Sequence, residues 1–144
     1  MLKSIIVGGL LTIVTVGIHT VGTSWWIQRL QRIQSLKLEE RGRFLPHRIL
    51  CSTAVFLLLL HIIEVTVWAV VYLALPELPE FEDAEQALYF STVTFASLGY
   101  GDVFIHGSWR LLSAIQAMTG LLIFGWSTAL LYAVVQRLWR GDVQ

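Results

Sequence analysis

The sequence predicts an all-α integral membrane protein with three membrane-spanning helices and, between the second and third, a shorter apolar segment that enters the membrane and turns back. Three observations carry this. Of 144 residues, 56% are hydrophobic and only 14% charged, against about 25% charged in soluble domains. Three stretches, roughly Ser4 to Leu30, Ile49 to Leu75 and Trp109 to Leu138, exceed the about 20 apolar residues that cross a hydrocarbon core of about 30 Å. A fourth apolar run, residues 86–97, is too short to cross. An ordinary soluble enzyme is thereby excluded. Ten Lys plus Arg balance ten Asp plus Glu, so no basic excess points to nucleic acid. The length is that of one domain, with no room expected for a separate ligand-sensing unit. Cys51 is the single cysteine and reads as a small apolar residue.

The first span ends in Trp25 and Trp26, which read as an interfacial anchor. After it come Arg29, Arg32, Lys37, Arg41, Arg43 and Arg48, and Arg137 and Arg140 follow the third span. Basic flanks face the cytoplasm. Lys3 argues the other way, but six basic residues outweigh one. Pro76 and Pro79 end the second helix, since proline lacks the amide hydrogen and constrains the residue before it. Residues 76–86 then carry Glu77, Glu80, Glu82, Asp83 and Glu85 without a basic residue, which places them outside. The N-terminus is therefore expected outside and the C-terminus in the cytoplasm, in a cell inner or plasma membrane.

The run QALYFSTVTFAS leads straight into Leu98-Gly99-Tyr100-Gly101-Asp102. Irregular backbone survives at membrane depth only when protein buries it or when it lines a watery path. Gly99 and Gly101 can take backbone angles closed to other residues, so successive carbonyl oxygens can point one way. Rings of such carbonyls replace the water around a dehydrated cation. Ser97 adds a hydroxyl at the inner end of this strip and Asp102 stands at its mouth. The preceding short helix aims the negative end of its dipole at the same path, which favours cations.

The stretch ALYFSTVTFASLGYGD resembles the pore helix and selectivity filter of the potassium channel family, and MTGLLIFGWSTALL, residues 118–131, resembles the family's inner helix. The resemblance covers about residues 50–138. It implies an extra N-terminal helix over 1–30, a basic cytoplasmic linker over 31–48, a pore domain over 49–138 and a short cytoplasmic tail over 139–144. Within the pore domain it implies an outer helix over 49–75, pore helix and filter over 86–102, and inner helix over 109–138. The filter is then Ser97, Leu98, Gly99, Tyr100 and Gly101, supported by Thr94 and Asp102, with the Tyr100 ring bracing it from outside the ion path. Gly120 falls at the family's hinge and Gly125 at a packing position. Four copies are implied around one pore, a homotetramer that passes K⁺ and discriminates against Na⁺.

The chain also departs from the family pattern. Ser97-Leu98 replaces the usual Thr-Val, Ala96 replaces a threonine, and Val93 stands where some members have a glutamate that pairs with the aspartate after the filter. Asp102 therefore needs another partner. Tyr89 and Phe90 occupy positions often held by tryptophan, and the usual proline after the filter is missing. A non-selective cation pore or a non-conducting accessory subunit is accordingly the alternative.

On the third span, Leu121, Phe124, Thr128, Tyr132 and Val135 recur at three- and four-residue steps and share one face. The resemblance turns that face to the ion path, with Tyr132 and Val135 as a hydrophobic gate; helix packing explains the stripe equally well. Glu64 lies mid-span with His61 a turn before it, and His19 lies mid-span in the first helix. A charged carboxylate there costs about 2.5–3.5 kcal/mol by insertion scales, so it must be protonated, paired or wet. A His19, His61, Glu64 cluster could bond to Trp68, Ser127 or Thr128 as structural glue, could sense pH, or, as a reading of another class, could form an intramembrane metal or proton site. Arg110 could pair with Glu85 or Asp102, or anchor the helix at the interface. The basic linker could bind anionic lipid headgroups. No catalysis and no cofactor are expected, only K⁺ as permeant ion, and the first helix is expected to pack outside the pore unit.

Overall fold

A computed structural model describes residues 1–36, 45–78, 81 and 83–140, with side chains for all of these but 33–36, 45, 139 and 140. Lys37, Arg41, Arg43, Pro79, Glu80, Glu82 and residues 141–144 lie outside the described residues, as does much of the expected basic linker. Four α-helices follow in order: α1 (Leu2–Leu36), α2 (Leu45–Ala74), α3 (Ala84–Phe95) and α4 (Arg110–Arg140), the last preceded by one 3₁₀ turn, Gly107–Trp109. No strand occurs among the described residues. Three helices are long and apolar enough to cross a membrane, over Leu2–Arg32, Pro46–Ala74 and Gly107–Leu138. The protein is thus all-helical and integral to a membrane.

Each span buries only 22%, 33% and 28% of its most apolar stretch inside the protomer. Most of the apolar surface is therefore left for lipid or for other copies. What is buried forms three clusters. Toward the end that carries residues 97–102, Trp68, Tyr72, Phe81, Phe90, Trp109 and Leu112 pack together, with Tyr72 and Phe90 edge to face at 5.2 Å. Mid-membrane, Val65, Phe95 and Ile123 meet. At the far end, Trp26, Leu30, Ile49 and Leu138 close the bundle.

The first helix packs against both of the other spans. The Ser4 hydroxyl donates to the Ser108 carbonyl (2.6 Å), Thr12 meets Thr119 (2.8 Å), and the Trp68 indole donates to the Thr15 hydroxyl (2.9 Å). These bonds tie α1 to both α2 and α4. Small residues permit the approach: a Cβ on Gly8 would lie 2.7 Å from the Ile115 side chain. The tryptophan pair also divides. Trp25 is exposed beneath the Arg29 guanidinium (5.6 Å), as an interfacial anchor should be, whereas Trp26 is buried, stacks on Phe56 at 4.5 Å and donates to Thr53 (3.0 Å).

Candidate functional site

The short helix α3 starts where Asp83, in extended conformation, accepts the Gln86 amide on its carboxylate (2.8 Å), satisfying one of the free donors of a first turn. Its buried side is held by a polar chain. The Ser91 hydroxyl donates to the Val65 carbonyl (2.7 Å) and accepts from the Gln116 amide (2.8 Å), while the Tyr72 hydroxyl donates to Gln116 (2.6 Å). Helices α2, α3 and α4 are pinned through Ser91 and Gln116, neither of which the sequence reading singled out. Gln116 was legible as an uncharged polar residue deep in an apolar span, where such groups seek a partner.

The helix ends two residues earlier than the apolar run. The Ser97 amide donates to the Thr94 carbonyl and the Leu98 amide reaches back to Val93, both at 2.9 Å. With Ala96 as the cap and Ser97 left-handed at φ 58°, this is a Schellman termination carrying serine at the position usually given to glycine. Gly99 and Gly101 follow with φ 55° and 79°, while Leu98 and Tyr100 between them keep negative φ. The hand alternates residue by residue, the geometry that turns successive carbonyls to one side. Open space surrounds both glycines, so a side chain there would be strained by conformation rather than by crowding. All five residues from Ser97 to Gly101 are exposed in the protomer, and an open groove beside them is lined by Tyr89, Thr94, Ser113 and Ala117.

Asp102 finds its partner in Tyr89, whose hydroxyl donates to the carboxylate (2.7 Å). That bond, with the amides of Asp102 and Val103 behind it, holds the carboxyl below its ordinary range. Among the described residues Arg110 makes an ion pair with neither Asp102 nor Glu85, which leaves the other alternative, an interfacial anchor. Val93, in the place of a pairing glutamate, is simply buried.

On α4, Gly120 is buried against the end of α3, where a Cβ would overlap the Phe95 carbonyl. Close approach accounts for this glycine without a bend, and α4 runs unbroken through it. The packing role expected of Gly125 is not seen, since nothing lies within 4 Å of a Cβ built there. Of the five-residue stripe, Leu121, Thr128 and Tyr132 are exposed and Val135 is half-buried. Phe124 is exposed as well, and its ring also packs edge to face on His61 (4.8 Å) and Phe95 (5.6 Å).

The ionisable residues of the spans do come together. His19 Nδ1 lies 2.9 Å from one Glu64 oxygen and His61 Nδ1 lies 3.0 Å from the other, with His19 and Glu64 fully buried. Ser127 supplies the fourth corner; Trp68 goes to Thr15 instead, and the Thr128 hydroxyl donates to the Phe124 carbonyl (2.8 Å).

A family model described as an ion channel matches residues 56–137, most of α2 and α4 with all of α3 and the strip between. No curated protein and no solved structure gives a match.

Proposed function

From the chain's membership of the ion channel family, in its two-helix, potassium-channel-type form, we propose that it is a K⁺-selective channel whose filter is Ser97, Leu98, Gly99, Tyr100 and Gly101. The observation that carries this reading is the alternation of hand at Ser97, Gly99 and Gly101 directly after a helix end. A single strip of carbonyls cannot ring an ion, and this one is exposed beside an open groove, so other copies must complete it. Four copies around one axis is the arrangement the family resemblance implies.

In that assembly Thr94 and Asp102 support the strip, and Leu121, Thr128 and Tyr132, exposed in the protomer, line the inner path. Tyr132 and Val135 narrow its inner end. Lys3 lies 3.8 Å from Glu77, so the N-terminus sits beside the acidic segment at the mouth of the strip. With Arg29, Arg32, Arg48 and Arg137 at the opposite end, this favours an outer N-terminus and an inner C-terminus. The basic end would attract anionic headgroups at about 1 kcal/mol per residue. K⁺ is the permeant ion and no cofactor takes part.

The test is K⁺-driven flux into proteoliposomes, with Na⁺ as the comparison and Gly99→Ala as the control. K⁺ flux that the substitution abolishes sustains the proposal. Equal K⁺ and Na⁺ flux means a non-selective pore, for which Leu98 in place of valine is the structural reason. Absence of flux with either ion means a closed pore, a collapsed pore or an accessory subunit.

A further inference from the structure

Within the bilayer the four groups His19, His61, Glu64 and Ser127 form a closed cycle of polar contacts that neither the family match nor the filter uses. His19 Nδ1 and His61 Nδ1 each meet a different Glu64 oxygen, at 2.9 and 3.0 Å. Their far nitrogens converge on one hydroxyl: Ser127 Oγ lies 3.2 Å from His61 Nε2 and 3.5 Å from His19 Nε2. The two imidazoles stack nearly parallel, 10° apart, with centroids at 5.7 Å. Three helices contribute, His19 from α1, His61 and Glu64 from α2, and Ser127 from α4.

Counting protons decides what such a cycle holds. Four hydrogen bonds need four protons. Two neutral histidines, a serine hydroxyl and an ionised carboxylate bring three, leaving one imidazole nitrogen facing the serine oxygen lone pair to lone pair. Three protons also leave a net charge of −1 buried where charge is costly. One more proton completes the hydrogen bonding and brings the charge to zero together. No other group can do so: between Lys3 and Arg29 on α1, Arg48 and Ala74 on α2, and Arg110 and Arg137 on α4, these three are the sole Asp, Glu, His, Lys or Arg residues. The elements packed against the cycle add only uncharged rings, Trp126 on His19 at 5.4 Å, and Phe95 and Phe124 on His61 at 6.3 and 4.8 Å.

We infer that His19, His61, Glu64 and Ser127 form an intramembrane binding site for one proton, which joins α1 to α2 and α4 as a neutral unit. The proton resides on an imidazole, as an imidazolium facing a carboxylate, or on Glu64, as a carboxylic acid. Shifting protons along the cycle interconverts the two with no change of total charge. His19, His61 and Glu64 also offer three ligand atoms within 4.8 Å of one another, the number that an open zinc site takes from protein, so metal content is measured beside the proton. Removing the proton leaves Glu64 uncompensated and loosens the hold on α4 at Ser127, one helical turn from the Phe124 ring on His61.

The site lies in one protomer and does not rest on the conduction proposed above, so its test needs no flux. Full-length protein carrying ¹⁵N-histidine and ¹³C-glutamate, with His47→Asn and His106→Asn removing the other two imidazoles, is placed in lipid nanodiscs and titrated by NMR. At pH 7 the expected result is one extra proton per protomer, seen as one imidazolium shared by two histidines or as a protonated Glu64 carboxyl. It should leave in a single step as pH rises. The midpoint of thermal unfolding should fall from pH 6 to pH 9, and Glu64→Gln should flatten that dependence. Should Glu64→Gln fail to fold, the parent titration alone decides. Two neutral imidazoles with an ionised Glu64 at pH 7, two imidazolium rings, or stoichiometric metal in the purified protein would each overturn the inference.

Discussion

Two polar regions sit in the same apolar bundle under opposite conditions. The His19, His61, Glu64, Ser127 cycle is buried and partnered within one protomer. The strip from Ser97 to Gly101 is exposed beside an open groove, its backbone held in alternating hand. A membrane tolerates unsatisfied backbone only where protein or water meets it. The first region therefore belongs to the fold of the single chain, and the second to the assembly proposed above. Substitutions in the strip should spare folding and remove transport, while substitutions at helix contacts should do the reverse.

The largest effect expected is on transport. Gly99→Ala places a side chain at φ 55°, at a cost of about 1–2 kcal/mol in each copy, and should abolish flux while leaving the helical circular dichroism unchanged. Next comes Gly120→Ala, which must displace the end of α3 from α4. Overpacking of this kind costs about 1–3 kcal/mol, read as a lowered unfolding midpoint, and because Phe95 directly precedes the strip, flux should fall as well. Unaltered stability would mean that α4 and α3 can part freely.

At the mouth, Tyr89→Phe removes the donor to Asp102. The Tyr89 hydroxyl depresses the carboxyl, so its contribution is fully present above the ordinary aspartate range, near 3.9, and is lost only as pH falls through the lowered value. In the variant, protonation of Asp102 should move up toward the ordinary range, measured by carboxyl NMR or by loss of flux on outer acidification. An unmoved titration would show that the backbone amides alone hold the charge. The smallest effect is at Ser97. Serine in the left-handed cap costs about 1–2 kcal/mol, and glycine would relieve this but add about 0.4–1 kcal/mol of unfolded-state entropy. Ser97→Gly should thus raise the unfolding midpoint slightly while K⁺ flux drops with the lost hydroxyl. A gain in flux would show that the serine oxygen does not take part in conduction.

What the sequence revealed and what it hid divide along physical lines. Span existence rests on length and hydropathy, which are local, and the alternating glycines announce their backbone because few other residues tolerate it. Helix rotation is not local. His19, His61 and Glu64 were recognisable as a set, but choosing Ser127 over Thr128 depended on which side α4 turns to α1, and excluding Trp68 on Thr15 taking its indole. The same rotation gives Gly120, not Gly125, the tight contact within the protomer. The Tyr89 partner of Asp102 depended on the path of the loop after the strip, which no periodicity records. The place of α1 within the bundle depended on small residues such as Gly8, whose role is visible only once Ile115 lies against it.

The central claim, that assembled copies of this chain conduct K⁺ in preference to Na⁺, is tested most directly by the reversal potential of the purified full-length protein in planar bilayers with K⁺ on one side and Na⁺ on the other. A reversal potential displaced strongly toward the K⁺ equilibrium value is the predicted result. A value near zero, with clear single-channel currents, would contradict it.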